Sequence, residues 1–163
     1  MMTRIFLTLL IGAITYSSHA QPSLAAFDNL VGSTWISTGK QLGGHEGKTE
    51  KEFMWGLDGK IVKVKTFTTD PTTLEFGLRN EGIRAWNAQS GKIEFYEFDK
   101  LGGISQGVVI IEEKTIHYQY SYGDLILRDS WTYIDENEYT YTVASMVNEK
   151  PDKIYHTGTF KRK

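Results

Sequence analysis

Beyond residue 33 the chain alternates between apolar and polar positions in short runs, with a period of two. Ile116, Tyr118, Tyr120 and Tyr122 fall on one parity, and Thr115, His117 and Gln119 on the other. Successive side chains of a strand point to opposite faces, so this alternation predicts strands with one inner and one outer face. Runs rich in Thr, Tyr, Val, Ile and Trp place them at 34–38, 49–55, 61–68, 73–78, 82–87, 92–98, 105–112, 115–122, 125–134, 139–147 and 153–161. Leu57-Asp58-Gly59, Gln89-Ser90-Gly91, Tyr122-Gly123-Asp124, Asp135-Glu136-Asn137 and Lys150-Pro151-Asp152 carry the turn chemistry between them. The three prolines fall outside these runs, as a hydrogen-bonded ladder requires. Before the first strand, Leu24, Phe27, Leu30 and Val31 stand at helical spacing, which predicts a short plug-like helix stopped by Gly32.

Spacing this regular leaves no room for crossover helices. A meander of this length closes into a barrel or splits into a sandwich, because open twisted sheets rarely extend so far. The expected fold is all-β: an antiparallel up-and-down β-barrel of about ten strands with a short N-terminal helix. A different pattern precedes it. Arg4 begins a short positive start, residues 5–16 are apolar and uncharged, and Ser18 and Ala20 fit a small-x-small cleavage site before Gln21. Residues 1–20 are thus expected to be a secretory signal peptide, since a membrane span needs roughly 20 apolar residues. The expectation is one domain over residues 21–163, exported to the periplasm or the cell exterior, with no transmembrane segment.

Gly32 and Trp35, within FDNLVGSTW, follow the short helix and open the run of strands, and Trp55 precedes a glycine turn in KEFMWGLDGKIV. With these features the chain resembles the calycin superfamily, the lipocalins and fatty-acid-binding proteins. Within it, the chain is similar to small exported bacterial lipocalin-like domains of unknown function. The usual lipocalin pattern has one residue between glycine and tryptophan, whereas Ser33 and Thr34 intervene here. The resemblance implies a small hydrophobic or amphipathic ligand inside the barrel. In the fatty-acid-binding relatives arginine and tyrosine hold a carboxylate.

Composition narrows the chemistry. The chain has no cysteine, which removes disulfides, thiol catalysis and thiolate metal sites. Its formal net charge is −2, and the leader holds one arginine and no acid, so the remainder is slightly more acidic and offers no field for nucleic acid. Gly43-Gly44 and Gly47 before Lys48-Thr49 do not form a phosphate loop, because strand rather than helix follows. No two histidines stand at metal-ligand spacing, and no nucleophile–base–acid set is marked, so neither a metal site nor a catalytic residue is assigned.

Nine tyrosines, eight phenylalanines and four tryptophans remain to be explained. One reading is cross-strand packing in a filled core that serves a structural or interaction domain. The other is a ring-lined ligand cavity, for which a ten-stranded barrel is wide enough. For a ligand site the candidates are Arg84, Trp86, Tyr96, Tyr118, Tyr120, Arg128, Trp131 and His156. An inward Arg84 or Arg128 needs a counter-ion, and Glu52, Glu97, Asp129 or a ligand carboxylate can supply one. No cofactor is expected. A haem-binding barrel using His156 is the remaining alternative, because certain small ten-stranded barrels hold haem through a histidine near the C-terminus.

Overall fold

Alternation of period two becomes ten antiparallel strands in the computed structural model, which describes residues 24–163. The expected leader lies outside the described residues. The strands are β1 (Thr34–Lys40), β2 (Glu46–Gly56), β3 (Ile61–Thr69), β4 (Phe76–Asn87) and β5 (Lys92–Asp99), then β6 (Ile104–Glu112), β7 (Thr115–Tyr122), β8 (Leu125–Asp135), β9 (Glu138–Val147) and β10 (Lys150–Arg162). Each pairs with its sequence neighbour, and β1 closes on β10, so the sheet is an up-and-down barrel without free edges. This architecture is compatible with a calycin-like barrel.

Three local expectations are corrected. The runs 73–78 and 82–87 are one strand, β4, whose register shifts opposite Thr66 and Phe67. That irregularity interrupts the alternation and made one strand read as two. Pro151 lies inside β10 rather than in a turn, two residues into the strand and beside a register shift, where the missing N–H costs no regular ladder bond. The turn falls instead on Asn148 and Glu149, both at positive φ (49° and 63°). The N-terminal helix is a single 3₁₀ turn, Leu24–Phe27, so Gly32 does not terminate it. Gly32 adopts φ 77° and turns the chain into β1, with its N–H donating to the Phe53 carbonyl at 2.9 Å.

One end of the barrel is plugged. Phe27 and Leu30 are fully buried against Trp35, Phe53, Trp131, Tyr139 and Phe160, whose rings meet edge to face at Trp35–Tyr139 and Phe53–Trp131 and at a 30° tilt at Trp131–Phe160. Trp35 Nε1 donates to the Leu30 carbonyl at 3.0 Å. Arg162, at the end of β10, lies over the Trp35 ring at 4.7 Å and donates to the Asn29 carbonyl (2.7 Å), Asn29 Oδ1 (2.8 Å) and Ser33 Oγ. The last strand thereby ties down the segment that leads into the first.

The opposite end is open, ringed by the loops that follow β1, β3, β5, β7 and β9. Apolar side chains stand exposed on that rim, among them Leu42, Leu74, Leu101, Ile104, Tyr122 and Val147. The closing seam is short. β1 pairs with β10 only through Trp35–Arg162 and Ile36–Lys161, whereas β1 and β2 pair over seven positions. Towards the open end β1 and β10 therefore part.

Candidate functional site

Parity decides what faces the interior at mid-height. Lys51 follows Phe53 inward on β2, Arg84 sits on β4, Glu97 on β5, Tyr118 and Tyr120 on β7, Asp129 on β8 and Tyr141 on β9. Two cations and two carboxylates thus share the barrel axis with three phenols. The close approach is allowed by glycine on neighbouring strands. A Cβ at Gly82 would stand 2.9 Å from Arg84 Nη1 and 2.4 Å from the Tyr96 carbonyl, and a Cβ at Gly107 would stand 2.0 Å from the Gln119 carbonyl.

Arg84 is buried, with 2% of its surface exposed. Its Nη2 donates to Glu97 Oε1, its Nε donates to the phenol oxygen Oη of Tyr118 at 3.4 Å, and its carbon centre lies 4.8 Å from the Tyr118 ring. Burial works against the guanidinium charge, but Tyr118 and Glu97 outweigh it and raise the pKa further. Burial equally opposes the Glu97 charge, and Arg84 with Lys51 overcomes it, leaving the carboxylate below its ordinary range. Asp129 differs. It accepts from Tyr141 O–H at 2.6 Å and Tyr120 O–H at 3.1 Å, yet burial dominates and its pKa is raised. The phenols of Tyr120 and Tyr141 are pushed up by burial and then by Asp129.

Lys51 stands apart from this network. Among the described residues no acceptor lies within hydrogen-bond distance of its Nζ and no carboxylate within ion-pair distance. The ammonium lies 5.7 Å from the Trp131 ring and 5.5 Å from that of Tyr141. Burial lowers its pKa from 10.5, against the pull of Glu97 and Asp129.

Lys51 also divides two spaces. Below it, between Arg84, Glu97, Tyr118, Tyr120 and Asp129, about 50 Å³ remains, room for a water molecule or two. Above it a cavity of about 490 Å³ opens to solvent at the mouth of the barrel. Part of its wall is polar: Thr49 Oγ1 donates to Gln41 Oε1 (2.7 Å), and Gln41 Nε2 bridges the Gly39 and Gly47 carbonyls. Leu42, Leu101, Tyr141 and Phe160 add apolar surface. Two buried donors near this axis have no partner, Thr66 Oγ1 on the cavity wall and Arg84 Nη1 beneath. Buried polar groups are normally satisfied, so each of these atoms has hydrogen-bonding capacity free for a water or a ligand.

The residues singled out from the sequence divide by face. Arg84, Tyr118, Tyr120 and Trp131 converge around the small lower space, and His156 lies on the wall of the upper cavity, 6.0 Å from Tyr141. Trp86 packs against the core without lining either space. Tyr96 and Arg128 occupy the outer face, where Tyr96 O–H donates to Glu94 at 3.1 Å and Arg128 to Gln119 Oε1 at 2.7 Å. Each has the parity opposite to an inward neighbour, Phe95 and Asp129. Of the proposed counter-ions, Glu97 pairs with Arg84.

Sequence reasoning passed over Lys51, Thr66 and Tyr141. The signal for Lys51 lay in parity, since Thr49, Lys51 and Phe53 share one face of β2. Among the described residues no group of His, Asp or Glu side chains converges as metal ligands, and no helix is long and apolar enough to cross a membrane. No protein-family model matches the chain, and no curated protein is significantly similar to it.

Proposed function

We propose that the protein is a calycin-like binding barrel that takes a small, partly apolar molecule into its mouth cavity, with an acidic or oxygen-bearing head against Lys51. The observation that carries this reading is a cavity of about 490 Å³ floored by an ammonium with no hydrogen-bond acceptor or ion-pair partner among the described residues. A partly buried cation is costly unless compensated, and a ligand oxygen would add to what the Trp131 and Tyr141 rings and the more distant Glu97 and Asp129 supply. The size is at the modest end of small-molecule sites. Because rings and ion pairs fill the barrel below Lys51, a long acyl chain has no room beneath it, and the ligand is short.

The cavity lining sets the rest of the match. The hydroxyls of Thr66 and Ser37 face a polar middle, while Leu42, Leu101 and Phe160 cover an apolar body. Thermal-shift titration with hexanoate and benzoate, against hexanol and benzyl alcohol, tests the reading. The acids raise the melting temperature of the wild type more than the alcohols do, and Lys51→Met removes the difference. Equal, negligible shifts for acids and alcohols overturn it.

A further inference from the structure

The amine of Lys51 has a second chemical property besides charge. We propose that Lys51 is a nucleophile that captures small aldehydes as imines within the mouth cavity. The inference rests on the cavity being a ligand site and specifies a class of ligand, molecules with an aldehyde head on a partly apolar body.

Four observations converge on it. Lys51 Nζ has no acceptor within hydrogen-bond distance and no carboxylate within ion-pair distance among the described residues, so no direct ion pair holds it in the protonated form. The side chain is flanked by the rings of Trp131 and Tyr141, and burial, helped by Arg84, favours the neutral amine against the pull of Glu97 and Asp129. It is the floor of a cavity open to solvent, so a carbonyl can reach it end-on. Tyr141 O–H, beside it, donates to Asp129 at 2.6 Å, and Asp129, raised by burial, also accepts from Tyr120. These coupled hydroxyls and carboxyl form a proton relay of the kind that imine formation needs.

The step balances without an oxidant or a reductant. The amine lone pair adds to the carbonyl carbon as the C=O π bond breaks, and the proton that the nitrogen gives up passes to the carbonyl oxygen to give the neutral carbinolamine. That oxygen then leaves as water with a proton from the Tyr141–Asp129 pair, while the nitrogen returns a proton to the relay as the C=N bond forms. One aldehyde and one amine give one imine and one water.

The test incubates the wild-type protein with one equivalent of cinnamaldehyde, adds sodium borohydride as hydride donor, and maps the reduced adduct by peptide mass spectrometry. Lys51 is expected to carry the bulk of the adduct, ahead of the exposed Lys60, Lys92 and Lys150. Prior addition of hexanoate is expected to suppress labelling at Lys51 and not at those three. In Lys51→Arg, with folding verified by near-ultraviolet circular dichroism, the dominant adduct is lost. An adduct spread evenly over the exposed lysines of the wild type overturns the proposal. Hexanoate binding with no Lys51 adduct overturns imine capture and leaves the binding function intact. A Lys51 adduct without any binding of hexanoate or benzoate supports imine capture and overturns the acid-binding reading.

Discussion

At Arg84 two opposed costs can be separated by mutation. Alone, Arg84→Met leaves Glu97 facing Lys51 across a largely buried space, and breaking a buried pair in this way costs about 3 to 5 kcal/mol. Replacing both partners, Arg84→Met with Glu97→Met, removes the stranded charge, and such replacements are often neutral or better. Urea unfolding of the two variants should therefore show the double mutant above the single one. Lys51 gives the opposite sign. Its lowered pKa means that the fold disfavours the ammonium, so Lys51→Met should raise the melting temperature while abolishing the response to hexanoate. A residue that weakens the fold and yet faces an open cavity is better explained by binding than by stability. Legibility at this scale followed parity. Tyr118 and Tyr120 were legible as inward residues because β7 alternates cleanly, whereas the strands of Arg84 and Trp131 mix charged and apolar side chains and left their faces open. Arg128 beside Asp129 was no more legible, since each strand face there mixes apolar and charged side chains, and only the register with β7 and β9 shows Asp129 to be the inward one.

Individual strands depend on two features that the sequence pattern does not advertise. The first is the glycine at position 107 of β6. Its hypothetical Cβ would overlap the backbone carbonyl of Gln119 on the neighbouring strand, and a backbone atom cannot swing aside as a side-chain tip can. Gly107→Ala should therefore push β6 from β7 and cost at least the 1 to 3 kcal/mol typical of overpacking, roughly speaking. Hydrogen exchange should locate the loss of protection in those two strands. The second feature is Arg162, which joins the final strand to Trp35, Asn29 and Ser33. Arg162→Ala should loosen the plug and the β1–β10 seam together, visible as faster exchange at Leu30 and Ile36, while the centre of β8 keeps its protection. The strand positions were legible, apart from one strand read as two, because a period of two needs only local sequence. The bulge that joins 73–78 to 82–87, the turn at Asn148–Glu149 and the brevity of the seam were not, because each depends on where a distant strand places its hydrogen bonds.

Over the whole barrel the titrating groups set a pH profile whose direction can be derived. Burial lowers the pKa of His156 with no charged group contributing, and that of His117 with help from Arg128 against Glu112. Each unfolded imidazole, at about 6.5, therefore binds its proton before the folded one does. By linkage, stability is lost as the pH falls through that value towards the folded pKa, and regained on raising it. A second loss follows at lower pH. Glu97, Asp70 and Asp99 are all held below their ordinary ranges, Glu97 by Arg84 and Lys51 against its burial, and Asp70 and Asp99 chiefly by backbone N–H groups of their own loops. Their contribution is present above unfolded values of 4.5 and 3.8 and disappears below them. Asp129 works the other way, since its raised pKa lets the folded state take up a proton first and recover part of the loss. Urea midpoints measured from pH 8 to pH 4 should accordingly bend downward near 6.5 and again below 4.5. His156→Gln should flatten part of the first bend in both low and high salt, because desolvation rather than charge shifts that imidazole. Replacing His117 by Gln should flatten a part that varies with salt, since Arg128 and Glu112 act on it through charge. A first bend unchanged in both variants would show that neither histidine carries it.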